Sequence, residues 1–127
     1  MTNATIRSRA VPQLAVEITG LPVAPSLRSR ITRRIRRALV GVQTSPIDVH
    51  VRFADVNGPK GGSDVRCAID VRMPRTAPMH AEALAERNVT AFDRSAALIT
   101  RRITRRLLRR QESSRRPKKY YVAKRLL

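Results

Sequence analysis

Two stretches of this chain concentrate arginine, the side chain best suited to binding phosphate. Residues 99–110, ITRRITRRLLRR, contain three pairs of adjacent arginines and no acid. A shorter version, ITRRIRR, occupies residues 31–37. A guanidinium group presents a planar fork of donors that matches the oxygens of a phosphate. The two stretches therefore predict binding to a polyanion.

The overall charge supports the same prediction. The 127 residues include 27 Lys and Arg against 9 Asp and Glu, which gives a net charge of +18. Such a charge favours nucleic acid or an anionic membrane surface as partner. No apolar run approaches the roughly 20 residues that span a bilayer, and the N-terminus lacks the apolar region of a secretory signal. We therefore expect a soluble, cytoplasmic protein without a membrane partner.

Other chemistry is poorly represented in the sequence. The single cysteine, Cys67, excludes a disulfide framework and a cysteine-based metal cluster, and its spacing predicts an inert core thiol. His50 and His80 fall on outward positions of predicted strands, where a metal or acid–base role is improbable. No nucleophile motif or phosphate-binding glycine loop is present. We predict a protein that is not an enzyme and has no cofactor, metal or small-molecule substrate.

Hydrophobic periodicity predicts the elements that position the arginines. Residues 14–19, 47–53, 65–73 and 79–86 alternate as strands, whereas residues 25–42 and the segment from Asn88 to 110 have helical spacing. Pro25 suits a first helical turn, Gly41 a helix end and Asn88 a helix cap. The predicted fold is α+β, in the order β-α-β-β-β-α. It has a four-stranded mixed sheet, a parallel right-handed crossover between the first two strands, and both basic helices on one face.

Helical phase separates the arginines from the apolar residues. In the first helix Arg30, Arg33 and Arg37 centre the polar side, flanked by Arg34 and Arg36. In the second helix most arginines oppose the apolar side, with Arg102 beside them, but two fall on the apolar side itself. The opposing residues are Arg94, Arg101, Arg105 and Arg109, and the exceptions are Arg106 and Arg110.

The arginines of the second helix repel one another. Four pairs are spaced i,i+4, and each like-charge pair costs about 0.2–0.5 kcal/mol. An ordinary solvated face would include glutamates and avoid this cost, which favours a polyanion-binding surface. Two adjacent helices form a broad surface that suits a folded RNA better than a DNA groove. Aromatic side chains for base stacking are few, so we expect recognition of backbone and shape with strong salt dependence.

The chain resembles a known family. The strand end ITG at residues 18–20, Leu27 followed by arginine in the first helix, His80 followed by alanine, and AFD at residues 91–93 before a long basic helix resemble the ribosome hibernation-promoting factors, also called ribosome-associated translation inhibitors. The resemblance covers about residues 13–110, in one unbroken order of elements. It rests on order, spacing and charge rather than on one diagnostic motif.

The resemblance implies a function in translation control. Members of that family bind the rRNA of the small ribosomal subunit in the mRNA channel, near the A and P sites, and keep idle ribosomes silent under stress. The family's basic positions fall on Arg28, Arg34 and Arg37 in the first helix, and on Arg101, Arg105 and Arg109 in the second. Combined with helical phase, the predicted RNA-binding residues are Arg28, Arg30, Arg33, Arg34, Arg37, Arg94, Arg101, Arg102, Arg105 and Arg109.

The sequence departs from the family at several points. Arg87 and Val89 stand where relatives usually have aspartate and tyrosine, Leu98 stands where lysine is frequent, and the loop before the first helix is about two residues shorter. Long members add a dimerising domain. The short length predicts a short form or the N-terminal part of a long form, monomeric when free unless such a domain is missing.

The predicted domain organisation has three parts. Residues 1–12 form a flexible tail, residues 13–112 the ribosome-binding domain, and residues 113–127 a basic tail or linker. The last part offers additional RNA contacts from Arg115, Arg116, Lys118, Lys119, Tyr120 and Tyr121.

Alternatives to hibernation stay open. A general double-stranded-RNA or DNA-binding protein and a structural ribosomal protein both fit the charge.

Overall fold

The computed structural model describes residues 13–57 and 63–115. It confirms the predicted α+β fold: a four-stranded sheet in the order β1-β2-β3-β4, with two helices. The elements are β1 (Leu14–Thr19), α1 (Pro25–Ala38), β2 (Ile47–Asn57), β3 (Ser63–Met73), β4 (Thr76–Ala85) and α2 (Asn88–Arg115).

The sheet is mixed, as expected. β1 and β2 pair in parallel, with Leu14 opposite Ile47 and Ile18 opposite Val51. The β2–β3 and β3–β4 pairs are antiparallel. Parallel neighbours need a crossover, and α1 provides it.

One face of the sheet carries the core. Alternate residues of β2 and β3, among them Val49, Val51 and Ile69, are buried, and they pack with apolar residues of both helices. Side chains on the intervening positions point to the opposite face, which no helix covers within the described ranges. The alternation read from the sequence thus places both helices on one side.

β4 begins earlier than predicted, at Thr76 instead of Met79. The turn is confined to Pro74 and Arg75, so Pro78 lies inside the strand. A proline lacks the N–H for a ladder bond and is tolerated on edge strands and at bulges. β4 is an edge strand with an irregular register opposite Val71 and Met73, which removes the conflict.

α1 starts as predicted and ends earlier. Pro25 occupies its first turn, but the helix ends at Ala38 instead of reaching Val42. The Leu39 N–H donates to the carbonyls of Ile35 and Arg36, both at 3.2 Å. The chain then turns, and the Val42 N–H donates a hydrogen bond to the Leu39 carbonyl at 2.9 Å. Gly41 does not adopt the left-handed conformation of a glycine cap, so its predicted capping role is wrong.

α2 differs at both ends. The Ala91 N–H donates to the Arg87 carbonyl at 2.9 Å, so Asn88 is the first helical residue rather than the cap. The helix continues to Arg115, five residues beyond the predicted helix end at residue 110. The predicted tail of residues 1–12 lies outside the described residues.

Gly20 connects β1 to the following loop in a way that requires glycine. Its φ is 103°, a region that side chains rarely adopt. A Cβ at this position would overlap the carbonyl oxygen of Phe53. The end of β1 therefore approaches the backbone of β2 at a distance open only to glycine.

Candidate nucleic-acid interface

The buried residues of α1 set the direction of its arginines. Leu27, Ile31 and Ile35 are buried at helical spacing, so the positions between them point away from the core. The arginines at 28, 30, 33, 36 and 37 are exposed and Arg34 is half-buried.

α2 presents its arginines by the same principle. Phe92, Ala96, Ile99 and Ile103 are buried against the sheet. A further contact fixes the helix, because the buried Ser95 hydroxyl donates to the Cys67 carbonyl of β3 at 2.6 Å. The arginines that remain exposed are Arg94, Arg101, Arg102, Arg105 and Arg109.

Side-chain contacts connect the two helices. The guanidinium of Arg30 donates to both carboxylate oxygens of Asp93, at 3.1 and 2.9 Å. Arg34 Nη1 donates to Thr100 Oγ1 at 3.2 Å. The hydrogen bonds and charge of Asp93 raise the pKa of Arg30. Residue numbers rise in both helices from the Arg30–Asp93 contact to the Arg34–Thr100 contact. The helices α1 and α2 therefore run side by side in the same direction.

The arginines of α1 line a groove beside α2. Arg30, Arg33, Arg34 and Arg37 surround an open volume of about 570 Å³ together with Asp93. Asp93 is the one acid in this lining. The groove therefore keeps a strong positive potential after the Arg30–Asp93 pair is formed.

Three of the ten predicted RNA-binding arginines bond to other protein groups. Arg30 and Arg34 contact α2, and Arg94 Nη1 donates to the Leu84 carbonyl at the end of β4, at 2.8 Å. Arg33 makes only a long bond, 3.4 Å, to the Ser29 carbonyl of its own helix. In the described part of the chain, the side chains of the other six make no hydrogen bond or ion pair; these are Arg28, Arg37, Arg101, Arg102, Arg105 and Arg109.

We define the arginine surface as the ten predicted RNA-binding residues: Arg28, Arg30, Arg33, Arg34, Arg37, Arg94, Arg101, Arg102, Arg105 and Arg109.

Sequence reasoning missed how the helices are connected: Asp93 and Thr100 were not assigned a role. The available signal was an isolated acid in a helix that otherwise carries arginines. Of the predicted tail contacts, Arg115 is the last residue of α2, and Arg116, Lys118, Lys119, Tyr120 and Tyr121 lie outside the described residues.

The uncovered sheet face has a different character. Arg52 pairs with Asp70 at 2.7 Å, and Arg66 lies 3.8 Å from Glu82. His80 lies between the acids, 2.6 Å from Asp70 and 3.0 Å from Glu82. Acids and bases neutralise one another here, so this face attracts a polyanion less than the helices do.

The pKa values on that face follow from these contacts. Hydrogen bonds to Asp70 and Glu82 raise the pKa of His80. For Asp70, partial burial opposes ionisation, but the His80 hydrogen bond and the charge of Arg52 outweigh it and lower the pKa. Burial raises the pKa of Cys67 to about 11, which agrees with an inert thiol.

Other kinds of site are not supported by the described residues. Within residues 13–57 and 63–115 no group of His, Cys, Asp and Glu could hold a metal ion. None of the helices there is long and apolar enough to span a membrane.

Comparison with known proteins identifies the fold. No protein-family model and no curated sequence matches the chain. Among solved structures, the N-terminal domain of Protein Y from Thermus thermophilus matches with a TM-score of 0.56 and 18% identity, over 74% of this chain and 98% of that one. A ribosomal subunit interface protein from Coxiella burnetii matches with a TM-score of 0.56 and 16% identity, over 73% of this chain and 97% of that one. Both are of the hibernation-promoting factor family, so the resemblance read from the sequence is confirmed at the level of the fold.

Proposed function

We propose that this protein is a ribosome hibernation factor. Its arginine surface binds rRNA of the small ribosomal subunit in the mRNA channel, near the A and P sites. There it blocks the binding of mRNA and tRNA and so inhibits translation. The protein acts by occupancy in the cytoplasm and not as an enzyme.

One observation carries the proposal. Two co-directional helices present arginines to solvent from one face of the sheet, and six of those arginines have no side-chain partner in residues 13–57 and 63–115. Such side chains are available for phosphates on several sides of a folded RNA. The same fold occurs in a ribosomal subunit interface protein.

A charge-reversal experiment tests the proposal. Arg101→Glu combined with Arg105→Glu removes two exposed arginines without touching the core, so we expect an intact fold and loss of co-sedimentation with small subunits. Arg66→Glu combined with Arg72→Glu is the matched control, because it changes the net charge equally on the uncovered sheet face. Equal loss of binding in both variants would show that only net charge matters.

A competition experiment separates the proposal from general nucleic-acid binding. At about 150 mM salt, surface charges are screened beyond roughly 8 Å. A hibernation factor should stay bound to small subunits when duplex RNA or DNA is added in excess, whereas a general nucleic-acid-binding protein should be displaced from them. Prior loading of mRNA and initiator tRNA should also prevent binding, because they occupy the same channel.

A structural ribosomal protein is distinguished by its occupancy. Such a component is stoichiometric with ribosomes in growing and starved cells. The hibernation factor instead accumulates on ribosomes when translation stops, which quantitative mass spectrometry of purified ribosomes can measure.

A further inference from the structure

A second cavity lies away from the arginine groove, where the loop after α1 meets α2 and the β3–β4 turn. Its volume is about 420 Å³, within the 300–1,000 Å³ range of small-molecule sites. Apolar side chains of Val42, Met73, Ile103 and Leu107 line it, and Gln43 and Arg106 add polar groups.

The position of Arg106 is unusual for a charged residue. It follows the buried Ile103 on the apolar side of α2 and is itself half-buried, next to Leu107, which continues the contact of the helix with the core. Among described residues its guanidinium has no hydrogen-bond or ion-pair partner. Arg106 is not part of the arginine surface.

The adjacent turn adds a second cation. Arg75 lies between the lining residues Met73 and Thr76, is exposed, and has a φ of 58°. Glycine is the usual residue in this conformation. An arginine has therefore been placed beside the cavity at a position where the backbone favours glycine.

We propose that this cavity binds one unstacked nucleobase from a single-stranded segment of the RNA partner, an inference that rests on the proposed function. The apolar side chains contact the faces of the base, and the Arg106 guanidinium stacks on it. The Gln43 amide bonds to the polar edge of the base, and Arg75 contacts the adjoining phosphate. The two arginines make the site complementary to a nucleotide rather than to an uncharged ligand.

Methyl NMR of the full chain tests this site without the ribosome. Single-stranded hexamers of A, C or U are titrated, with inorganic polyphosphate as the probe for charge alone. At least one hexamer should shift the methyl signals of Val42, Ile103 and Leu107 saturably, whereas polyphosphate should leave them in place. Equal shifts with polyphosphate, or no methyl shifts with any hexamer, would overturn the proposal.

Matched variants assign the binding to Arg106. Arg106→Gln should raise the Kd for the best hexamer about 10-fold, the size of one lost stacking contact. Arg72→Gln loses the same charge on the uncovered sheet face and should change the Kd less than 2-fold or so. Equal effects of the two would refute a base-binding role.

Small-subunit binding is measured separately on the same variants. If the hexamer shifts the cavity methyls but small subunits do not bind, the proposed function fails and the nucleobase site stands. If small subunits bind and the methyls do not respond, the reverse holds.

Discussion

Arg30 of α1 and Asp93 of α2 form a bidentate ion pair, with N···O distances of 3.1 and 2.9 Å. The pair connects the two helices while both side chains stay about half exposed. It also places a negative charge inside the most basic part of the molecule. Asp93 therefore limits the attraction of the groove for phosphate as well as orienting Arg30.

Replacing Asp93 tests this second effect. Asp93→Asn removes the acid and releases Arg30, so affinity for duplex RNA of arbitrary sequence should rise several-fold at low salt. Asp48→Asn, with the same charge change on the uncovered sheet face, is the control and should have a smaller effect. Filter binding at several salt concentrations measures both, and equal gains would mean that Asp93 acts only through net charge.

Gly20 should contribute strongly to the stability of the fold. A Cβ there overlaps the Phe53 carbonyl oxygen, and φ is 103°, so Gly20→Ala should lower the free energy of unfolding by about 3 kcal/mol or more. Gly41→Ala is the control, since its Cβ meets only the terminal Leu107 Cδ1, at 3.3 Å. We expect that variant within about 1 kcal/mol of wild type. Urea denaturation measures both variants, and a Gly20→Ala protein with the unfolding free energy of wild type would contradict the close approach.

The uncovered sheet face should make stability depend on pH through His80. Its pKa is raised from the usual 6.5 by Asp70 and Glu82, so the folded state holds the proton more tightly than the unfolded state. The stabilisation is complete below pH 6.5 and disappears as pH rises through the folded-state pKa. Because the side chain is 46% exposed, the effect should stay under about 1 kcal/mol.

His80→Gln isolates that contribution. The difference in unfolding free energy between wild type and variant should be largest near pH 6 and smaller at pH 9. An NMR titration of His80 gives the folded-state pKa directly. A difference that grows toward alkaline pH would have the wrong sign for this mechanism.

Salt should stabilise the free protein and weaken its complex with RNA. Four like-charge i,i+4 arginine pairs in α2 cost about 1–2 kcal/mol together, and salt screens them. We expect Tm to rise by about 3–6 °C between 50 and 500 mM NaCl, measured by circular dichroism.

Arg105→Glu tests the origin of the salt effect, because it converts two repulsive pairs, with Arg101 and Arg109, into attractive ones. Its Tm should respond less to salt. A wild-type Tm independent of salt would show that the arginines of α2 do not repel one another appreciably.

The fold could be predicted because its elements are coded locally. Alternation along β2 and β3 and the period of Leu27, Ile31 and Ile35 each require one buried face, and a β-α-β order with parallel strands leaves few topologies. Boundaries were less accurate where tertiary structure overrides local preference. Pro78 reads as part of a turn until it is known that β4 is an edge strand.

The candidate interface was predicted in composition but not in arrangement. Helical phase identifies exposed arginines, yet it cannot show which of them contact a neighbouring helix. The Arg30–Asp93 and Arg34–Thr100 contacts depend on the relative offset of α1 and α2, which the packing on the sheet decides. The cavity beside Arg106 likewise brings together a loop, a turn and a helix that are distant in sequence.

The contrast between the two faces of the sheet has a kinetic consequence. Unpaired arginines lie on one side, whereas on the other side Arg52 pairs with Asp70 and Arg66 with Glu82. The molecule therefore has a large electric dipole in addition to its net charge. The electric field of a polyanion exerts a torque on that dipole and orients the helices toward the polyanion before contact. Productive collisions should thus be far more frequent than random tumbling allows, and this advantage should vanish as added ions shorten the reach of the field.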